Sequence, residues 1–132
     1  METIFHLSSS IYVAQSGDRG RGVFTKEKIS KDTLIEVSPV IVMSGSERFL
    51  IDQTLLHDYI FEWGEKQDQC CMALGFVPIY NHRSPSNCEY EMDFKRRIIS
   101  VRSVKNIAKG EELFINYNGD WNSKKRVWFE WA

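Results

Sequence analysis

The sequence predicts a mainly β, α+β domain, and three observations carry that reading. Short runs rich in β-branched and aromatic residues recur along the chain, separated by turns rich in glycine and charge. One run, residues 87–94, alternates strictly: Cys88, Tyr90, Met92 and Phe94 would face one way, Glu89, Glu91 and Asp93 the other. Only two stretches, residues 52–63 and 123–131, read as helix. A length of 132 residues suits one domain, and 42% hydrophobic residues with 13% aromatics supply its core without staples.

Taken in order, residues 11–13 and 22–24 flank the turn-rich Ser16-Gly17-Asp18-Arg19-Gly20, as a strand, a turn and a strand. Residues 33–37 and 40–43 are interrupted by Pro39, which predicts two short strands or a bend. Over residues 52–63 the pattern changes: Leu55, Leu56, Tyr59, Ile60 and Trp63 fall at helical spacing, with Gly64 where a C-cap would sit. The alternating run then turns at Lys95-Arg96-Arg97 into residues 98–101, an antiparallel hairpin. A turn at Ala108-Lys109-Gly110-Glu111 precedes a strand over 113–117. A short C-terminal helix over 123–131 starts near an Asn/Ser cap.

Charge and cysteine usage exclude several classes of function. The formal net charge is −1, and the basic clusters Lys95-Arg96-Arg97 and Lys124-Lys125-Arg126 are short, so no basic field would draw in nucleic acid. The acidic residues of the alternating run read as a solvated face, or as partners for Arg97 or Arg102 across the hairpin. Cys70, Cys71 and Cys88 are odd in number and two are adjacent, which is not a disulfide framework. His6, His57 and His82 are scattered, so no metal site is expected. No stretch approaches the ~20 apolar residues that span a bilayer, and a soluble, intracellular protein is expected.

The chemistry-bearing motifs are three. Gly20-Arg21-Gly22-Val23-Phe24 follows Gly17, but this spacing is the reverse of a dinucleotide fingerprint and leads into a strand rather than a helix. On its own it is a hairpin turn. Tyr80-Asn81-His82-Arg83-Ser84-Pro85-Ser86-Asn87 is, on its own, loop chemistry with Asn81 capping its backbone. Gly110-Glu111-Glu112-Leu113-Phe114-Ile115-Asn116-Tyr117 is, on its own, a strand with a core tyrosine.

Together and in this order, over about residues 17–120, the three motifs resemble those of SET domains, which methylate protein lysines with S-adenosylmethionine. The resemblance implies a SET-domain fold of short curved sheets and one or two short helices. It also implies a knot-like crossing near the C-terminus that brings Asn81-His82 beside Tyr117, a threading that topology rules make rare. It implies a single domain over residues 1–132, with a core at about 11–120. An aromatic segment at 121–132 then stands in place of a zinc-binding cysteine cluster, since no cysteine follows Cys88.

The resemblance also implies residue roles. Gly20, Arg21 and Gly22 form a backbone platform at the methionine end of the cofactor, where a Cβ would obstruct approach. Asn81 contacts the amino-acid moiety, and His82 contacts the adenine through its backbone, acting neither as base nor as ligand. Tyr117 orients the amine. Tyr59 lies near the cofactor or lysine channel, or is one more aromatic on an amphipathic helix. Trp121 lines the lysine channel and Trp128 covers the adenine; equally, the aromatic tail packs on the core or on a second copy, as a homodimer would require. Arg83 and Ser86 depart from the family pattern, while Asn87 keeps it. The expected activity is methyl transfer to a lysine of a protein, such as a histone or histone-like tail. The alternative is a non-catalytic module that binds cofactor or a protein partner.

Overall fold

The computed structural model describes residues 3–119 and residue 122. The expected C-terminal helix over 123–131, with Trp128, and the Trp121 that precedes it lie outside the described residues. Within them the chain runs β1 (His6–Leu7), β2 (Ile11–Gln15), β3 (Arg21–Thr25), β4 (Leu34–Met43), α1 (Gly45–Ile51), β5 (Phe61–Trp63), β6 (Gln69–Ala73), β7 (Asn81–His82), β8 (Cys88–Asp93), β9 (Ile98–Ser103) and β10 (Glu112–Ile115). Short 3-10 turns occupy Gly17–Arg19, Leu55–Asp58 and Val77–Ile79. The expected mainly β class is the one observed.

Two sheets organise these strands. The larger has the order β5-β6-β4-β9-β8, with β1 added against β4; the smaller has the order β2-β3-β10-β7. All pairings are antiparallel except β10 with β7, where Phe114 faces Asn81 and Ile115 faces His82. That parallel pair joins two segments far apart in sequence, which the motif resemblance implied and periodicity did not. Tyr117 lies two residues beyond β10, so the expected strand over 113–117 ends earlier, at Ile115.

The two hairpins expected from the sequence, β2–β3 and β8–β9, are both present. The β2–β3 turn is closed by Ser16 N donating to Gly20 O at 2.6 Å, with Gly17 (φ 48°) and Gly20 (φ 81°) in the left-handed region. In the β8–β9 hairpin Glu89 sits opposite Arg102, and Asp93 pairs with Arg96 at 3.0 Å in the turn.

Two expectations are corrected. Pro39 does not split its run: β4 is one ten-residue strand. The proline falls where β4 exchanges one neighbour for another, from β1 at Glu36 and Val37 to β6 at Val40 to Met43, so its missing N–H is cheap there. Residues 52–63 are not one helix either. The α-helix lies just upstream at Gly45–Ile51, started by a capping box in which Ser44 Oγ accepts from Glu47 N while Glu47 accepts from Ser44 N. Only the 3-10 turn and then β5 follow. Leu55 is 76% exposed, so the apolar residues at helical spacing had no core to face, whereas buried Trp63 is taken by the β5–β6 ladder.

The core is built from fully buried Val23, Ile35, Ile99, Val101, Leu113 and Ile115, contributed by both sheets. Each such side chain contributes ~1.5–3 kcal/mol relative to exposure. Buried polar groups (Thr25, Glu36, Ser38, Asn87 and Asn116) thread this core, and no buried side-chain nitrogen or oxygen among the described residues lacks a partner. Cys70, Cys71 and Cys88 are buried free thiols. No helix among the described residues is long and apolar enough to cross a membrane, and no group of His, Cys, Asp and Glu among them is placed to hold a metal.

Candidate active site

The pairing of β10 with β7 delivers Tyr117 to the wall of a cleft. Tyr117 N donates to His82 Nδ1 at 3.1 Å, and its hydroxyl donates to the Tyr80 carbonyl at 2.8 Å. The Tyr90 hydroxyl donates in turn to the Tyr117 carbonyl at 3.3 Å. The N–H, carbonyl and hydroxyl of one residue are thus held from β7, from β8 and from the loop before β7. His82 is buried, with its ring centroid 5.2 Å from that of Tyr117. Its Nδ1 accepts a hydrogen bond, which places its proton on Nε2. That acceptor ties the backbone of Tyr117 to β7.

The cleft beside Tyr117 is about 1220 Å³, with Gly20, Arg21, Tyr59, Asn81 and Tyr90 also on its walls. Sites for drug-sized ligands run ~300–1,000 Å³, so the cleft is large enough for a ligand of that class. Gly20, Arg21, Tyr59, Asn81 and Tyr117, singled out by motif, are therefore brought together. Gly22 and His82 stand behind the wall rather than on it.

Burial pushes the Tyr117 phenol up to about 12; Arg19 opposes this, and Glu112 and Tyr59 add to it. The group is a neutral hydroxyl at physiological pH, its proton directed at the Tyr80 carbonyl, and its oxygen is suited to accept from an amine.

Asn81 is held by a second network. Its Nδ2 donates to Glu112 Oε2 at 2.8 Å and to the Arg21 carbonyl at 3.2 Å. Glu112 Oε1 accepts from Ser16 Oγ at 2.5 Å. With both amide protons committed, Asn81 presents Oδ1 as an acceptor. Gly22 is what lets these groups close up: a Cβ on it would meet the Glu112 carboxylate and lie 2.9 Å from Asn81 Nδ2. Asn87, the third asparagine-motif position, clamps β10 from behind, accepting from Phe114 N at 2.7 Å and donating to Glu112 O at 2.8 Å. The departures at Arg83 and Ser86 leave this clamp whole. Arg83 stacks over Phe114 at 4.3 Å, and Ser86 Oγ bonds Cys88 O at 2.6 Å.

Glu112 and Tyr90, which hold Asn81 and Tyr117, were not marked by sequence reasoning, nor was Glu36, which accepts from the Tyr80 hydroxyl behind the cleft. Glu36 carried a signal, as a lone acid in the apolar run Leu34–Met43, where a charge is buried only with partners. Glu112 lay inside a quoted motif without a role. Tyr90 was counted only in the alternation of its strand.

A tyrosine held neutral in a half-buried aromatic cleft suits chemistry on an amine that must shed its charge. Comparison with known proteins identifies the family. The family model of the SET domain matches residues 20–118, and the chain belongs to the SET-domain family. It is 34% identical over 125 residues to the histone-lysine N-methyltransferase, H3 lysine-37 specific, of Schizosaccharomyces pombe, covering 94% of this chain and 80% of that protein. A Plasmodium falciparum protein assigned as a histone methyltransferase superposes with TM-score 0.65 at 26% identity, over 93% of this chain and 99% of that one. A Polycomb Repressive Complex 2 chain of Chaetomium thermophilum, a humanized mutant bound to the inhibitor GSK126, shares the fold at TM-score 0.68 and 21% identity. The match covers 81% of this chain and 14% of that one.

Proposed function

We propose that this chain transfers a methyl group from S-adenosylmethionine to the ε-amine of a lysine in a protein, with a histone or histone-like tail as substrate. The class, protein-lysine N-methyltransferase, follows from SET membership and the 34% identity to a histone-lysine methyltransferase. The observation that supports the residue roles is the tether of the Tyr117 hydroxyl to the Tyr80 carbonyl at the cleft wall. The cofactor, when bound, supplies an electrophilic methyl on a sulfonium.

The residues present fit such a cofactor. Asn81 Oδ1 is an acceptor for its ammonium, Arg21 lies on the same wall, and Gly20 carries no Cβ to block approach. Tyr59, Phe61, Tyr90 and Tyr117 make the cleft aromatic. Because a free lysine has a pKa of ~10.4, its neutral form is scarce at pH 7, and desolvation between these rings favours that form. Tyr117 then accepts an N–H of the amine and aims its lone pair, which is a gain in orientation rather than in basicity. The one-domain extent over residues 1–132 is part of this proposal, as is a homodimer built partly on the aromatic C-terminal segment, whose Trp121 and Trp128 lie outside the described residues.

Tyr117→Phe tests it, by methyl incorporation into histones from labelled cofactor and by calorimetric cofactor binding on the same preparations. Turnover should fall ~10²-fold or more, as when one preorganised hydroxyl or amide is removed from a site, with cofactor affinity within about twofold. Equal turnover would sink the role of Tyr117. Cofactor binding by the unaltered chain without any methyl-lysine product would favour the non-catalytic module.

A further inference from the structure

Glu36 is the one buried carboxylate among the described residues and does not line the cleft. Its Oε2 accepts from Ser38 Oγ at 2.6 Å and Phe76 N at 2.8 Å, and its Oε1 from the Tyr80 hydroxyl at 2.8 Å. The loop before β7 is folded around it. Gly75 has φ 69°, and a Cβ there would run into the carboxylate and the Ser38 hydroxyl. Tyr80 is 1% exposed. Its side chain ends on Glu36, while its carbonyl receives the Tyr117 hydroxyl at 2.8 Å.

We infer that Glu36 and Tyr80 are a positioning pair that holds the Tyr80 carbonyl where it aims the Tyr117 hydroxyl, so that a carboxylate outside the cleft governs turnover. The inference rests on the amine-orienting role proposed for Tyr117. Its physical ground is that stability alone does not call for the pair. A phenylalanine at 80 beside an apolar residue at 36 would fill the same space without desolvating a carboxylate, and such replacements are often neutral or stabilising. What an apolar pair lacks is direction. A hydroxyl bonded to a carboxylate that is itself held by other donors fixes the rotation of Tyr80, and with it the carbonyl one residue before the Asn81-His82 strand.

The test is a double-mutant cycle between Tyr80→Phe and Tyr117→Phe, read as single-turnover methylation at saturating cofactor and as calorimetric cofactor binding. Tyr80→Phe should lower the methylation rate ~10- to 100-fold, the loss that small misplacements of reacting groups produce. Cofactor affinity should stay within about twofold. In the Tyr117→Phe background the same substitution should cost nothing further, because its effect passes through Tyr117. A merely structural role would lower the rate by the same factor in both backgrounds, and that result, or an unchanged rate in Tyr80→Phe alone, overturns the inference. If Tyr117→Phe alone is fully active, the proposed role of Tyr117 fails, a different outcome from failure of the pair. Where Tyr80→Phe does not fold, Glu36→Asp, which draws the carboxylate back by one methylene, goes through the same cycle. A loss confined to the background with Tyr117 intact supports the pair, and an equal loss in both backgrounds overturns it.

Discussion

Gly22→Ala is the sharpest probe of how the Asn81 side of the cleft is assembled. Gly22 is not in the left-handed region, so alanine fits the backbone and the effect must come from contacts. The new Cβ would overlap the Glu112 carboxylate and crowd Asn81 Nδ2 at 2.9 Å. Relief requires Glu112 to swing away, giving up its bonds from Ser16 Oγ at 2.5 Å and Asn81 Nδ2 at 2.8 Å. Hydrogen bonds to charged groups contribute ~1.5–3 kcal/mol each, and these are part-buried, so the low end applies: about 3 kcal/mol for the two. For a chain of this size, about 4 °C per kcal/mol translates that into a Tm lower by ~12 °C. Asn81 also loses its orientation, so S-adenosylmethionine should bind about tenfold more weakly, a change of ~1.4 kcal/mol. Gly110→Ala is the control. Gly110 has φ 85° and nothing within 4 Å of a built Cβ, so it loses ~1–2 kcal/mol from the left-handed backbone and touches no cleft residue. Thermal unfolding and calorimetry on both variants decide the matter. A Gly22→Ala protein with unaltered Tm and affinity, or a control that loses affinity equally, would contradict this account of the cleft.

Two further outcomes follow from buried acids. Burial pushes the Cys71 thiol up to about 12 and raises Cys70 and Cys88 as well, so all three should resist a thiol reagent at pH 8 and react together on unfolding; fast labelling of any one in the native protein would contradict their burial. Stability should fall under alkali. The folded values of Tyr117 and Cys71, each about 12, lie above their ordinary 10.0 and 9.0, so the folded chain holds protons that the unfolded chain has released, and stability complete below pH 9 is lost as pH rises from 9 toward 12. A urea midpoint that stays level from pH 9 to 11 would count against both shifts.

The parts of the fold that were legible in the sequence are those set by near neighbours. Alternation over residues 87–94 produced the β8–β9 hairpin, and glycines at 17 and 20 marked a turn only they could make at low cost. Misreadings arose where a local signal had no tertiary partner. Leu55, Leu56 and Tyr59 keep helical spacing but stand exposed, while the shorter capping-box signal of Ser44 and Glu47 started the helix that formed. Pro39 looked like a break because the exchange of β1 for β6 beside β4 at that position was invisible from the chain alone.

Residue order alone was enough for the mainly β class, the family, and the selection of Gly20, Arg21, Asn81 and Tyr117 as cleft residues, because each lies in a contiguous motif whose residue types have few alternative uses. How those residues are held emerged only from the folded chain. Glu36 reaches Tyr80 across 44 positions, Glu112 reaches Asn81 across 31, and Tyr117 reaches Tyr80 across 37. Hydrogen bonds over such separations depend on the parallel pairing of β10 with β7 and on burial that makes an unpaired carboxylate or phenol costly. No local pattern encodes that pairing, because its energy resides in contacts that exist only once the two sheets have closed on one another.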